Sequence, residues 1–412
     1  MLVIEPAALD DDECVRAWAG SGAMHLTGPA SGPPAVSPAG IVRPLLGLGD
    51  ALASATGRLG TGVRVDPEAL AAQRAAFTGF GRSGSRSPGG YAQMVRARDG
   101  WLALSLPRPS DIETLPALVG AAVPAGDWTG IESRIASMTA ADVVQQGSEL
   151  GLAVAAIGAT PAPQQPWSVR CERPARPRRG QASVVVDLTG LWAGPLAGGL
   201  LAEAGCRVLK VESGSRPDGA RRGPAGFFEL LNRKKRHLSM DLPEPEALDR
   251  LRELIAEADL VLEASRPRVM QQWGISPAEV VAAGTTWVSI TGHGRNGRHA
   301  NRIAFGDDAA ASGGLVMPGE PPMFVGDAIA DPIAGLAAAS VAAHTLAEGR
   351  AALVDVSLAG ASAWVRAHAA VPIDRPVIEN DGCWQVELTD GPVAVAPPAV
   401  SDRITTRPKA AK

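Results

Sequence analysis

At 412 residues the chain is long enough for two to three domains with sizeable cores. A net charge of −4 and only nine Trp, six Phe and one Tyr argue against a nucleic-acid binder, which needs a basic field or a base-stacking surface. Four scattered cysteines without a CxxC pair fit a reducing cytosol, and neither a basic leader nor an apolar run of about 20 residues points to a membrane, so a cytoplasmic protein is expected.

In chain order, Pro44–Ala55 predicts a helix, and Gly79–Gly90 is a Gly/Ser/Arg-rich loop. A hairpin is expected over Tyr91–Leu106, with helices near Ile112–Val119 and Ala140–Leu150, which together make a small α+β unit. The Pro- and Arg-rich stretch 161–181 predicts an extended linker, because prolines deny regular hydrogen bonding and charges keep it solvated.

From residue 183 an α/β alternation begins. Strands are expected at Ser183–Leu188, Arg207–Val211, Leu260–Glu263 and Trp287–Thr291. Pro195 suits the first turn of an intervening helix and Gly205 its C-terminal cap; further helices are expected over Pro243–Ala258 and Pro277–Ala283. This spacing predicts an α/β fold, a Rossmann-like doubly wound, mostly parallel sheet. The boundaries expected are 1–75, a small α+β domain at 76–160, the linker 161–181, a large α/β domain at 182–370, and 371–412, whose end from Pro397 is expected to be disordered.

One stretch occurs twice at an offset of 288 to 291. Ser21–Gly28 is echoed by Ser312–Gly319, Ile41-Val42-Arg43-Pro44 by Ile329-Ala330-Asp331-Pro332, Val65-Asp66 by Val354-Asp355, and Asp99-Gly100 by Asp390-Gly391. Arg43 stands where the second copy has Asp331. An acid followed by Pro ahead of an Ala-rich helix is explained by N-capping alone, yet a helix N-terminus also keeps a carboxylate ionised, as a nucleophile requires. Asp307, Asp308 and Asp327 are second-tier candidates. Glycines 190, 194, 198 and 199 do not make the GxGxxG of a dinucleotide site, although Glu212 ends the second strand where a ribose-binding acid would stand. The basic cluster of Arg216, Arg221, Arg222 and residues 233–236 reads either as a solvated face or as a polyphosphate site. The histidines show no metal-ligand spacing, so no metal is expected.

The runs VVVDLTGLWAGPLAGGLLAEAGCRVLKVE (184–212), NRKKRHLSMDL (232–242), ADLVLEASRPRVMQQWGI (258–275), WVSITGHG (287–294) and GDAIADPIAGLAAA (326–339) together resemble the family III CoA transferases, the CaiB/BaiF group. The resemblance implies coenzyme A as substrate, Asp331 as catalytic nucleophile, and an exchange between acyl-CoA and a small carboxylate acceptor. It also implies CoA contacts from Leu191, Trp192, Ala193, Asn232, Lys235, Arg236, Met240, Ala264, Arg266 and His293, with oxyanion donors from a loop such as Gly79–Gly90. Family subunits pair as interlocked dimers, so a homodimer, or a heteromer with a conventional member, is implied. A partial copy ahead of the large domain implies a rearranged, partly duplicated member whose Arg43 copy is inactive. Ser213, Ala264 and Arg268 depart from the family pattern, which leaves a non-catalytic CoA-binding or partner subunit as the alternative. The α-methylacyl-CoA racemases of the same fold pair the aspartate with an upstream His, for which 303–306 offers none.

Overall fold

The computed structural model of the protein describes residues 2–120, 124, 127–177, 180–242, 244–369 and 372–400, and the backbone of 405–408. The N-terminal segment holds helices α1 (Asp11–Gly20) and α2 (Val42–Leu59), strand β1 (Thr61–Arg64) and the short helix α3 (Ala75–Thr78). The start of α1 is fixed by a reciprocal cap: Asp10 Oδ1 accepts from Glu13 N at 2.8 Å and Glu13 Oε2 from Asp10 N at 2.9 Å. In α2, Val42, Leu45, Leu48, Leu52 and Ala55 fall every three to four residues and are buried.

Strands β2 (Ala92–Ala97), β3 (Gly100–Ser105) and β4 (Ala153–Ala156) form an antiparallel sheet in the order β2-β3-β4. Helices α4 (Pro109–Val119), α5 (Trp128–Ser137) and α6 (Ala140–Glu149) cover it. Leu102, Leu104, Leu115, Leu118, Ile131, Ile135 and Val143 make a core of their own there.

A seven-stranded sheet dominates the rest. Its strands are β5 (Ser168–Pro174), β6 (Val184–Leu188), β7 (Arg207–Ser213), β8 (Arg236–Met240), β9 (Leu260–Glu263), β10 (Thr286–Thr291) and, after the two-residue strands β11 (Val316–Met317) and β12 (Met323–Phe324), β13 (Arg350–Ser357). The order is β5-β13-β10-β9-β6-β7-β8, parallel throughout except for antiparallel β5. Chain direction across the sheet therefore reverses between β6 and β9, the crevice where open α/β sheets present ligands. Helices α7 (Ala193–Glu203), α8 (Ala225–Asn232), α9 (Pro245–Glu257), α10 (Pro267–Gln272), α11 (Pro277–Ala282), α12 (Gly306–Ser312), α13 (Ala330–Ala347) and α14 (Leu358–His368) accompany it. Val185, Val186, Leu260, Val261, Leu262, Trp287, Val288, Val354 and Val356 are all buried, so neighbouring residues of one strand face apolar cover on both sides.

The expected strands and helices from 183 to 291 are all present, with boundaries moved by one or two residues. The linker differs: β5 lies inside 161–181 and pairs antiparallel with β13. Within β5 the one proline, Pro174, stands at the last ladder position opposite Arg350, and an edge strand tolerates both that and an exposed, charged face. The basic run 233–236 also differs, since it spans the end of α8 and the start of edge strand β8. Residues 409–412, at the end of the tail expected to be disordered, lie outside the described residues.

Helices α2 and α13 have 18 residues each and start 288 positions apart. They pack side by side in parallel: Ser340 Oγ donates to Leu48 O at 3.1 Å, and Arg58 reaches Glu348 at 3.3 Å. The matched Asp-Gly pairs both stand at hairpin turns, one between β2 and β3 and the other between β15 (Cys383–Val386) and β16 (Val393–Ala394), which with β14 (Val377–Asn380) form a further small sheet. The C-terminal strand β17 (Thr405–Pro408) pairs with β1.

Candidate active site

Asp331 is the second residue of α13, and Ile329 occupies the cap position. The N-capping expectation is therefore corrected: the carboxylate does not close its own helix. The carboxylate lies beside the backbone N–H groups of Ala193, the first residue of α7, and of Gly306, the first residue of α12, both of which favour its ionised form. Three helix N-termini thus meet at one carboxylate, two beside it and one carrying it, and their dipoles favour its ionised form. Gly306 has no side chain because a Cβ there would collide with Asp331 Oδ2 and Ala328 O.

The carboxylate is enclosed by protein yet keeps an accessible face. Burial raises its pKa to about 6, while Arg74 and the two N–H donors pull downward and Asp327 pushes up. Arg74, from the N-terminal segment, pairs two-pronged with Asp327: Nε to Oδ2 at 2.8 Å and Nη2 to Oδ1 at 2.5 Å. Its guanidinium lies 5.4 Å from the Trp192 ring centroid and 5.8 Å from that of Phe80. Asp307 accepts from Ala328 N at 3.0 Å, and burial and then Asp327 raise its pKa to about 7. Asp308 on the same turn of α12 accepts from Phe305 N at 2.9 Å, and burial raises it also to about 7. Sequence reasoning missed Arg74 altogether; its partner lies 253 positions away, with no local motif to mark it.

Beside this cluster the β6–α7 turn is held by buried charges. Asp187 accepts from Thr189 N at 3.0 Å, Lys210 Nζ donates to Thr189 O at 2.8 Å, and Asp218 Oδ1 accepts from Leu191 N at 2.8 Å. Leu191 takes a left-handed φ of 66°, and Ala328, across the site, one of 46°. Non-glycine residues rarely hold that conformation, and such strain gathers at functional sites.

The residues expected to contact CoA divide. Leu191 is exposed at the turn, and Ala193 reaches Asp331, but Trp192 is buried against Phe227 and Arg74. Lys235 is buried, pairs with Asp187 at 2.8 Å and donates to Pro195 O at 2.8 Å, so its charge is spent inside the protein. Asn232 is buried and donates to Phe228 O at 2.9 Å. Arg236 and Ala264 are exposed, and Met240 is half-buried. Arg266 occupies the N-cap position of α10, and burial, followed by the charges of Arg268, Arg216 and Arg108, lowers its pKa. His293 Nε2 is buried without a hydrogen-bond partner, and burial, with Arg302 and His299, lowers the ring pKa to about 3. Glu212 is engaged by Arg221 at 2.7 Å, which with Asp218 N–H lowers it to about 2. The Gly79–Gly90 loop lies against the segment that leads into α13, with Gly84 N donating to Gly28 O and Phe324 N donating to Gly84 O. Among the described residues, no group of three or more His, Cys, Asp or Glu is placed to hold a metal, and no helix is long and apolar enough to cross a membrane.

Residues 182–377, which carry Asp331 and most of its surroundings, match the model of CoA-transferase family III. The chain is 30% identical over 204 residues to a succinyl-CoA–D-citramalate CoA-transferase of Chloroflexus aurantiacus, covering 45% of this chain and 50% of that protein. It is likewise 30% identical over 197 residues to a succinate–glutarate CoA-transferase of Agrobacterium fabrum, covering 42% and 49%. Among solved structures, that of hypothetical protein Rv3272 from Mycobacterium tuberculosis aligns with a TM-score of 0.46 at 28% identity, over 52% of this chain and 66% of that one. The chain thus spans about half the length of these curated relatives.

Proposed function

We propose that this protein is an acyl-CoA:carboxylate CoA transferase in which Asp331 is the nucleophile. The observation that carries this reading is a largely enclosed carboxylate set beside the N-termini of α7 and α12, within the region that matches the family model. With a pKa of about 6 it is about nine-tenths ionised at pH 7 and only lightly solvated, as a carboxylate nucleophile requires.

In the proposed sequence, an Asp331 oxygen attacks the thioester carbonyl of acyl-CoA, the C–S bond breaks, and CoA leaves as thiolate. The thiolate then attacks the Asp331 carbonyl of the mixed anhydride, which releases the donor carboxylate and leaves an aspartyl-CoA thioester. The acceptor carboxylate attacks that thioester and expels the thiolate. Attack of the thiolate on the acceptor's carbonyl gives the new acyl-CoA and frees Asp331, with no net proton transfer. The Ala193 and Gly306 N–H groups supply hydrogen-bond donors beside the reacting carboxyl group. Arg266 with Arg216, Arg268 and Arg108 would receive the CoA phosphates. The Rossmann-like description of the large sheet, a separate small α+β domain at 76–160, pairing into dimers and the origin of α2 and α13 by duplication belong to the same proposal.

CoA exchange between succinyl-CoA and small dicarboxylates, compared for the protein and Asp331→Ala, is the test; equal rates in both refute the assignment. A non-catalytic partner subunit is the reading favoured by the burial of Lys235 and Asn232, which removes two expected CoA contacts. Absence of exchange by the isolated protein, together with co-purification of a conventional family member, selects that alternative.

A further inference from the structure

The family match begins at residue 182, yet the guanidinium that faces Asp331 comes from residue 74. We propose that Arg74 is a positioning residue for Asp331: by pairing with Asp327 it holds the loop that presents the carboxylate and balances the charge around it. This rests on Asp331 being the nucleophile.

The loop leading into α13 is tied to the N-terminal segment at successive points. Phe324 N donates to Gly84 O at 3.0 Å, Gly326 N to Thr27 Oγ1 at 2.9 Å, and Asp327 N to Ala71 O at 3.3 Å. The Arg74–Asp327 pair adds two bonds, with the Asp327 side chain fully buried and that of Arg74 24% exposed. The rings of Phe80 and Trp192 confine the guanidinium. The next residue, Ala328, is the one held in the left-handed region, and it donates to Asp307. The chain therefore pays for a strained presentation of Asp331 with bonds from outside the matched region.

The charges are arranged to matter. Arg74 from the turn before α3 and Asp327 from the loop both act on Asp331, Asp307 of α12 acts on Arg74, and the Ala193 N–H of α7 lies beside the carboxylate. Asp308 on α12 bonds Phe305 N and faces Arg302, and Arg43, at the matching end of α2, is bound to Leu9 O and Asp11. Removing Arg74 leaves a buried Asp327 carboxylate uncompensated beside Asp331, which favours the protonated nucleophile. Removing the Asp327 charge instead leaves Arg74 to face Asp331, which favours the ionised one.

The test is a pH titration by NMR of protein labelled with ¹³Cγ-aspartate, with the Asp331 signal identified by its loss in Asp331→Asn. Arg74→Gln should move the Asp331 titration up by about one to two pH units, Asp327→Asn should move it down, and Arg74→Lys should return it toward the starting value. A purely structural Arg74 lowers stability in these variants without shifts of opposite sign, and that result overturns the proposal. If Arg74→Gln fails to fold, Asp327→Asn decides alone, since an unmoved or raised titration is then the refuting outcome. Acylation by succinyl-CoA, followed by mass spectrometry on the protein and on Asp331→Ala, tests the nucleophile separately. Opposite shifts with an Asp331→Ala variant that still exchanges CoA sink that reading alone.

Discussion

Substituting Lys235 separates a structural charge from a ligand contact. Its ammonium is fully buried, 2.8 Å from the equally buried Asp187, and a second bond reaches Pro195 O in the first turn of α7. Burial lowers the Lys235 pKa while Asp187 opposes that shift, and for Asp187 the lysines outweigh burial and lower it. Lys235→Met therefore strands a buried carboxylate that keeps only Lys210 and Thr189 nearby, a loss expected to cost about 3–5 kcal/mol. The double variant Asp187→Asn/Lys235→Met removes both charges and should cost clearly less, because a neutral pair needs no counterion. Urea unfolding followed by circular dichroism measures the cycle, and calorimetric titration with desulfo-CoA measures binding to the folded protein. A phosphate contact would show the reverse: stability within about 0.5 kcal/mol of the parent and a Kd raised about tenfold or more, since a charge-assisted bond contributes about 1.5–3 kcal/mol. That pattern refutes the structural role.

Three further outcomes are expected. Single-turnover acylation by succinyl-CoA should fall about tenfold per pH unit below a midpoint near 6, as the carboxylate that attacks becomes protonated; a flat profile between pH 5 and 8 contradicts a role for ionised Asp331. Asp307 has a folded pKa of about 7 against an ordinary 3.8, so the native state binds more protons than the unfolded one between those values and stability falls as pH rises through that window. Asp307→Asn should then stabilise by a few kcal/mol at pH 8 and by almost nothing near pH 3, read by urea unfolding at each pH. Arg43→Asp should lose about 1–2 kcal/mol, because Nε donates to Leu9 O at 3.0 Å and Nη2 to Asp11 at 2.8 Å, and it should restore no CoA exchange to Asp331→Ala.

The parallel sheet was legible because its strands are short apolar runs bounded by Gly, Pro and charge, and both faces are covered. Val184–Leu188 and Thr286–Thr291 carry that signal in themselves. Edge strands carry a weaker one. In β5 and β8 charged side chains face water, so the sequence reads as linker or ligand surface although the backbone pairs. The candidate nucleophile was legible through a local pattern, Asp-Pro ahead of an Ala-rich helix, and through its Arg43 counterpart. Its donors were not, because Ala193 and Gly306 act through backbone N–H groups that any residue would supply. Lys235 shows the same limit from the other side: composition marks it as one cation in a basic run, and only its bonds to Asp187 on β6 and to Pro195 O in α7 turn it inward.

The two parallel helices show how like helix starts accommodate opposite charges. Both α2 and α13 begin with a charged second residue followed by Pro, and their apolar faces meet along their length. At α2 the charge is a cation, spent on a carbonyl and a carboxylate of the preceding segment. At α13 it is an anion set beside the N–H groups that begin two other helices. A helix N-terminus repels a cation, so Arg43 needs those two oxygens to be tolerated there, whereas Asp331 gains from its own helix and from both neighbours. Desolvation works against that gain and raises the carboxylate to about 6. The balance between the two leaves a carboxylate that is ionised at neutral pH and more basic than one in water, and in the proposed reaction that added basicity favours its attack on a thioester.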